Sequence, residues 1–211
     1  MSKEILEIYN LKGKFIKNQE RKAFYDEIKK EFSKTGKITK QIKRFTCLLM
    51  NSKGRIYLQK RSKFKKENSG LHDKTVGGHV SKGDTFDMTM IRECAEELGF
   101  PASILSKEEF DKSISKTHLN IVALFKKIDY ITNFKSTRVT KNNRKFIQPY
   151  INTPYIGYYD GAIKFVDGES SGIEVFSLKE LEDDIKKYPE KFTEDIKWMI
   201  KKYRKYLKPI K

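Results

Sequence analysis

Apolar residues recur along this chain with two periods, and the change from one to the other divides it into strands and helices. Alternation over Ile42 to Met50 and again over Arg55 to Arg61, around the turn Asn51-Ser52-Lys53-Gly54, predicts two paired strands. A further strand is expected over His118 to Ile128 (HLNIVALFKKI), whose apolar middle suits a mixed sheet covered on both faces. Tyr155 to Val166 reads as strand with a turn near Asp160-Gly161, and Ile173 to Phe176 as a last strand. Helical spacing appears in Glu20 to Phe32 through Phe24, Ile28 and Phe32, and in a segment closed by Gly99, Phe100 and Pro101 through Phe86, Met90, Ile91, Cys94 and Leu98. Ser177 and Glu180 form a capping box that opens a helix from Leu178 to Lys187, and Thr193 starts another through Tyr206. Residues 4–9 and Phe15-Ile16 flank a turn and read as a hairpin, while Pro101 to Phe110 reads as loop with a short helical piece. Residues 129–149 are basic and without clear period, either a long insertion or a twisted hairpin. The fold expected is α/β: a mixed sheet between helices in an α/β/α sandwich.

The chemistry concentrates in Val76 to Pro101. Gly77 and Gly78 let the backbone approach a ligand, and Asp84 is the expected N-cap of the following helix. On that helix Glu96 and Glu97 lie three and four residues after Glu93, so the three carboxylates share one face. Acids gathered so closely repel one another, and a hard divalent cation, Mg²⁺ or Mn²⁺, relieves the repulsion at an all-oxygen site. Arg92, four residues before Glu96, is placed to hold it. A solvated acidic helix face is the alternative.

The order of residues decides between the two. Gly78, Asp84, Arg92, Glu93, Cys94, Glu96, Glu97, Gly99 and Phe100 stand at the spacing of the Nudix signature, with Asp84 in place of the usual glutamate and Cys94 in place of an aliphatic residue. This stretch therefore resembles the Nudix hydrolases. The resemblance implies a Nudix-type sandwich that hydrolyses a diphosphate linkage with Mg²⁺ or Mn²⁺ held by Glu93, Glu96, Glu97 and a backbone oxygen at Gly77. It also implies one assisting glutamate from a later segment, either Glu169 in the turn before the last strand or Glu174 in or beside that strand; Glu174 is preferred because a strand fixes its position. The run from LQKRS to GGH is similar to the subgroup related to isopentenyl-diphosphate isomerase, which makes Arg61 and Lys65, with Lys63 and Lys66 beside them, candidates for diphosphate oxygens. Arg21 is a candidate for an arginine that precedes the catalytic core in that subgroup. Isomerase chemistry itself is not expected. Gly77 stands where the isomerases carry a cysteine, and of His72, His79 and His118 only His79 falls on a matching ligand position.

Composition adds little but narrows partners. The formal charge of +17 attracts anions, yet it comes mostly from lysines spread along the chain. Two local concentrations stand out, residues 61–66 and residues 135–145 with Lys135, Arg138, Lys141, Arg144 and Lys145. These raise RNA ends as a substrate class beside a small soluble diphosphate compound, the class preferred. A non-catalytic nucleotide- or RNA-binding domain is the reading from another class, opposed by the retained glutamates. Tyr155, Tyr158 and Tyr159 are read as packing rather than as base-stacking residues. With no apolar span or leader the expected location is the cytoplasm, as a monomer or homodimer and without a membrane partner. Both cysteines are expected as buried thiols. Residues 1–36 are expected to pack as a hairpin and helix on a domain of residues 37–211.

Overall fold

The computed structural model describes residues 4–140, 142, 144–164 and 170–210. One mixed sheet carries the fold. Its central strand, β3 (Lys40–Met50), runs parallel to β9 (Lys145–Tyr158) on one edge, with Ile42 beside Tyr150 and Met50 beside Tyr158. Three segments share the other edge of β3. The first is β1 (Ile5–Asn10), which pairs with β2 (Phe15–Glu20) and with the start of β3. Residues 75–80 follow, strapped on by Phe45 N–Gly78 O at 3.0 Å and Cys47 N–Val76 O at 2.9 Å. Last comes β4 (Ile56–Arg61), antiparallel to the end of β3 and bordered by the two-residue β5 (His72–Asp73) and by β10 (Ser170–Phe176). Beyond β9 lie β7 (Ala123–Lys127), β6 (Ala102–Leu105) and β8 (Ile131–Val139).

Strand alternation sends the side chains of β3 into two layers. Phe45, Cys47 and Leu49 pack with Met90, Cys94 and Leu98 of α2 (Phe86–Leu98), while Leu48 and Met50 meet Leu181 of α4 (Leu178–Lys187) and Ile196, Met199 and Ile200 of α5 (Glu194–Tyr203). Helices therefore cover both faces, as the sequence pattern requires. Each fully buried Leu or Met on these faces contributes about 1.5–3 kcal/mol of burial free energy. A third cluster joins Leu6 and Ile8 of β1 to Phe24 and Ile28 of α1 (Arg21–Thr35) and to Ile42 and Tyr150, setting α1 against the sheet.

Several expectations change. His118 to Val122 is not strand: the His118 carbonyl accepts from the amides of Ile121 and Val122, so this stretch turns, and Ile121 is exposed. The stretch after Pro101 contains β6 as well as the short helix α3 (Lys107–Ser113). Of the two readings of residues 129–149 the hairpin holds: β8 pairs antiparallel with β9, Arg138 facing Phe146 across it. Tyr155, Tyr158 and Tyr159 are buried in the core, the packing role expected of them. No described helix is long and apolar enough to cross a membrane.

Candidate active site

Helix α2 begins one residue later than expected. The hydroxyl of Thr85, not the carboxylate of Asp84, accepts from the Met88 amide at 3.1 Å and caps the helix. Asp84 is instead committed to Arg92, 2.8 Å away. This corrects two assignments, because Arg92 pairs with Asp84 and its bond is not to Glu96. The Asp84 bond raises the Arg92 pKa above its ordinary value, and Glu93 and Glu96 add to the effect against partial burial. Arg92 remains a fixed positive charge beside the glutamates.

The apolar side of α2 locks its register and so decides where the acids point. Cys94 is buried among Phe45, Leu49 and Met90, its thiol pushed well up by burial, and Cys47 lies in the same cluster. Glu93, Glu96 and Glu97 consequently face a cavity of about 890 Å³. Gly77 and Gly78 form part of its wall. A methyl at Gly78 would stand 3.0 Å from Glu93 Oε1 and 3.1 Å from Phe45, and one at Gly77 would run into the Lys74 side chain. Only glycine lets the strap lie between β3 and the glutamates. Val76 and Gly78 spend their carbonyls on β3, and Gly77 takes no part in that pairing.

The remaining wall is mostly cationic, with Glu4, Glu20, Asp26 and Glu67 as its acids. Arg61 and Lys65 line the cavity with Lys66, and so do Arg21, Tyr25 and Lys29 from α1. Arg61 also holds the chain around it, donating to the Glu67 carbonyl at 3.1 Å and lying 3.4 Å from Asp73. The floor consists of Arg44, Lys74, Arg138, His79 and Tyr150. Arg44 is buried in β3 with its Nε donating to Asn152 at 3.0 Å, its terminal nitrogen 3.0 Å from Asp195, and its plane 4.1 Å from the Tyr150 ring. Asp73 receives Lys74 at 3.1 Å and the Thr193 hydroxyl at 2.9 Å. Burial would raise the Asp73 carboxyl, but Lys74, Arg61 and Arg138 hold it well below the usual range. Burial lowers Lys74, partly opposed by Asp73. His79 sits 3.0 Å from the Tyr25 hydroxyl, and burial among Arg21, Arg138 and Arg44 pushes its pKa well down, so the ring is neutral at pH 7.

Eight candidates are thus brought to one cavity: Arg61, Lys65, Gly77, Gly78, Arg92, Glu93, Glu96 and Glu97. Glu174 is not. Its carboxylate lies on β10, 2.8 Å from His72 Nε2 and 3.3 Å from Lys60, and it does not line the cavity. Burial would raise its pKa, yet the His72 and Lys60 contacts keep it below the ordinary value. Glu169, the other candidate, lies outside the described residues. Sequence reasoning missed Arg44, Lys74 and Tyr150. A signal existed for the first, an arginine placed in the middle of an apolar strand, and none for the others.

Among the described residues no three Asp, Glu, His or Cys side chains converge into a ready-made metal cluster. The glutamates nevertheless offer only carboxylate oxygens, and both thiols are turned into the core, a donor set that fits Mg²⁺ or Mn²⁺ and not a soft metal.

Isopentenyl-diphosphate Delta-isomerase of Klebsiella pneumoniae subsp. pneumoniae is 37% identical over 59 residues, 28% of this chain and 32% of the isomerase. The match thus spans about a third of the length of that relative. The solved structure of DR0079 from Deinococcus radiodurans superposes with a TM-score of 0.64 at 18% identity, over 94% of this chain and 98% of that one. A bifunctional NMN adenylyltransferase/ADP ribose pyrophosphatase from Francisella tularensis, complexed with AMP and manganese, gives a TM-score of 0.50 at 17% identity, over 88% of this chain and 47% of that one. At these identities both structures speak to fold alone. The NUDIX domain family, however, matches residues 40–196, the greater part of the chain, with β3, β9 and the glutamate helix. The chain belongs to the Nudix family.

Proposed function

We propose that this protein hydrolyses a diphosphate linkage in a nucleoside diphosphate-linked or related small molecule, with Mg²⁺ or Mn²⁺. The observation that carries the reading is the meeting of three helix-borne carboxylates with buried and rim cations in one cavity. Glu93, Glu96 and Glu97 would hold the cation, with the Gly77 carbonyl as a further oxygen. When bound, the cation supplies charge neutralisation at the phosphates and activation of water. The chain's own residues do the rest. Arg61 and Lys65 bind non-bridging oxygens, Arg61 doing so with a guanidinium already held by the Glu67 carbonyl and Asp73. The glycine strap, fixed to β3, admits the diphosphate close to the backbone. Asp84 orients Arg92, which keeps positive charge against the carboxylates and limits their mutual repulsion.

Prenyl isomerisation is not the activity favoured. Neither cysteine lines the cavity, Gly77 occupies the strap, and the floor is charged. Incubating the protein with Mg²⁺ or Mn²⁺ and a panel of nucleoside diphosphate-linked compounds, beside capped and triphosphorylated RNA, tests the reading by released phosphate or nucleoside monophosphate. Turnover of a small compound that falls by about 10²- to 10³-fold in Glu96→Gln/Glu97→Gln is the expected result. Full activity in that variant removes the metal assignment, and cleavage of RNA ends alone transfers the activity to RNA.

A further inference from the structure

The cavity floor holds more cations than acids: Arg138 feels Asp195 and Asp73, but both are bonded to other cations. Arg44 is matched by Asp195, while Lys74 and Arg61 share Asp73. Arg138 is only 8% exposed, lines the cavity, and among the described residues has no carboxylate within ion-pair distance. Its one hydrogen bond goes to the Tyr150 hydroxyl, at 3.2 Å, and its buried Nε has no partner. A guanidinium carries five N–H donors, so most of this fork is unspent. Gln148, two residues before Tyr150 and on the same face of β9, is fully buried, with no hydrogen bond within 3.5 Å and Tyr25 as the polar group it acts on. Tyr150 itself lies under both guanidinium groups, 4.1 Å from Arg44 and 5.5 Å from Arg138. A buried cation with unsatisfied donors is costly unless an anion completes it.

We infer that this floor is a second anion subsite, centred on the Arg138 fork, that binds a phosphoryl group of the substrate remote from the diphosphate to be cleaved. The inference rests on the diphosphate reading above and narrows it: the substrate carries a further phosphate, and a prenyl tail or an uncharged sugar does not fill the site. The subsite is made by β3, β8 and β9, separately from the glutamates of α2, so the two can be tested apart.

The probe is inorganic phosphate, titrated calorimetrically into the protein in excess EDTA. Wild type is expected to bind it, acetate at equal ionic strength is expected to bind less well, and Arg138→Met is expected to weaken phosphate by about 10- to 100-fold. Glu96→Gln/Glu97→Gln is expected to keep phosphate binding. Thermal unfolding of each variant shows whether the fold is retained. If Arg138→Met does not fold, Arg138→Lys decides, since an ammonium keeps the charge and loses the fork. Absence of phosphate binding to wild type, or equal affinity in the folded Arg138 variant, overturns the subsite. Phosphate binding without turnover of any compound would leave the subsite and sink the hydrolase reading, whereas turnover with no Arg138-dependent binding would do the reverse.

Discussion

The glutamate wall and the arginine floor face the same cavity but are built on opposite principles. Glu93, Glu96 and Glu97 come from five consecutive residues of one helix, two of them half-buried and one exposed, and among the described residues they form no closed cluster. Arg44, Asp195, Asn152 and Ser136 come from four distant places in the chain, are all buried, and are bonded to one another. The wall gathers like charges on one helix face, and this part of the floor pairs opposite charges, Arg44 with Asp195. Loss of an acid should therefore be felt differently in the two regions, with the larger cost to stability where the acid is buried in the floor network.

Asp195→Ala sharpens the contrast most. It leaves Arg44 buried without its acid and is expected to cost about 3–5 kcal/mol in urea unfolding. A loss below about 1 kcal/mol would mean that water reaches Arg44 and that the floor is not a closed network. Gly78→Ala acts on the wall. The added methyl must displace Glu93 or Phe45, so turnover is expected to fall about tenfold or more while the urea midpoint moves little. Equal losses in activity and stability would show that the strap, and not Glu93, gives way.

The smallest effect concerns the anchoring of α1, whose Arg21 and Tyr25 reach the cavity. Lys40, Gln19 and Lys17 bond Glu27 and lower its pKa from 4.5 to about 2. A depressed folded-state value means that this contribution is fully present above pH 4.5 and fades as pH falls towards about 2. Because the group is partly exposed, the contribution is about 1 kcal/mol or less. Urea midpoints measured across that window should converge for wild type and Glu27→Gln at the acid end. A difference that persists there would place the effect elsewhere.

The same contrast decides what could be read from the sequence. Helix α2 was legible because its periodicity is local and its acids fall on one turn. The β8–β9 hairpin stood only as one of two readings, since the inward positions of β8 are Phe134, Ser136 and Arg138, an alternation carried mostly by polar residues that hydrophobic periodicity does not register. The β6 strand is four half-buried residues, too short for a period to show. His118 to Val122 misled in the other direction, because its apolar residues suggested a strand where the backbone turns. Asp84 was read as the cap because it precedes the helix, and nothing in the local spacing marked Arg92 as its partner.

The parallel pairing of β3 with β9 carries a consequence for the life of the chain on the ribosome. Arg44 meets Asn152 across 108 residues and Asp195 across 151. Most of the polypeptide must emerge before either contact can form, while the hairpins and helices on the way are free to assemble at once. Such long-range closure slows folding. During synthesis β3 therefore waits, with an arginine in its middle, for partners not yet made.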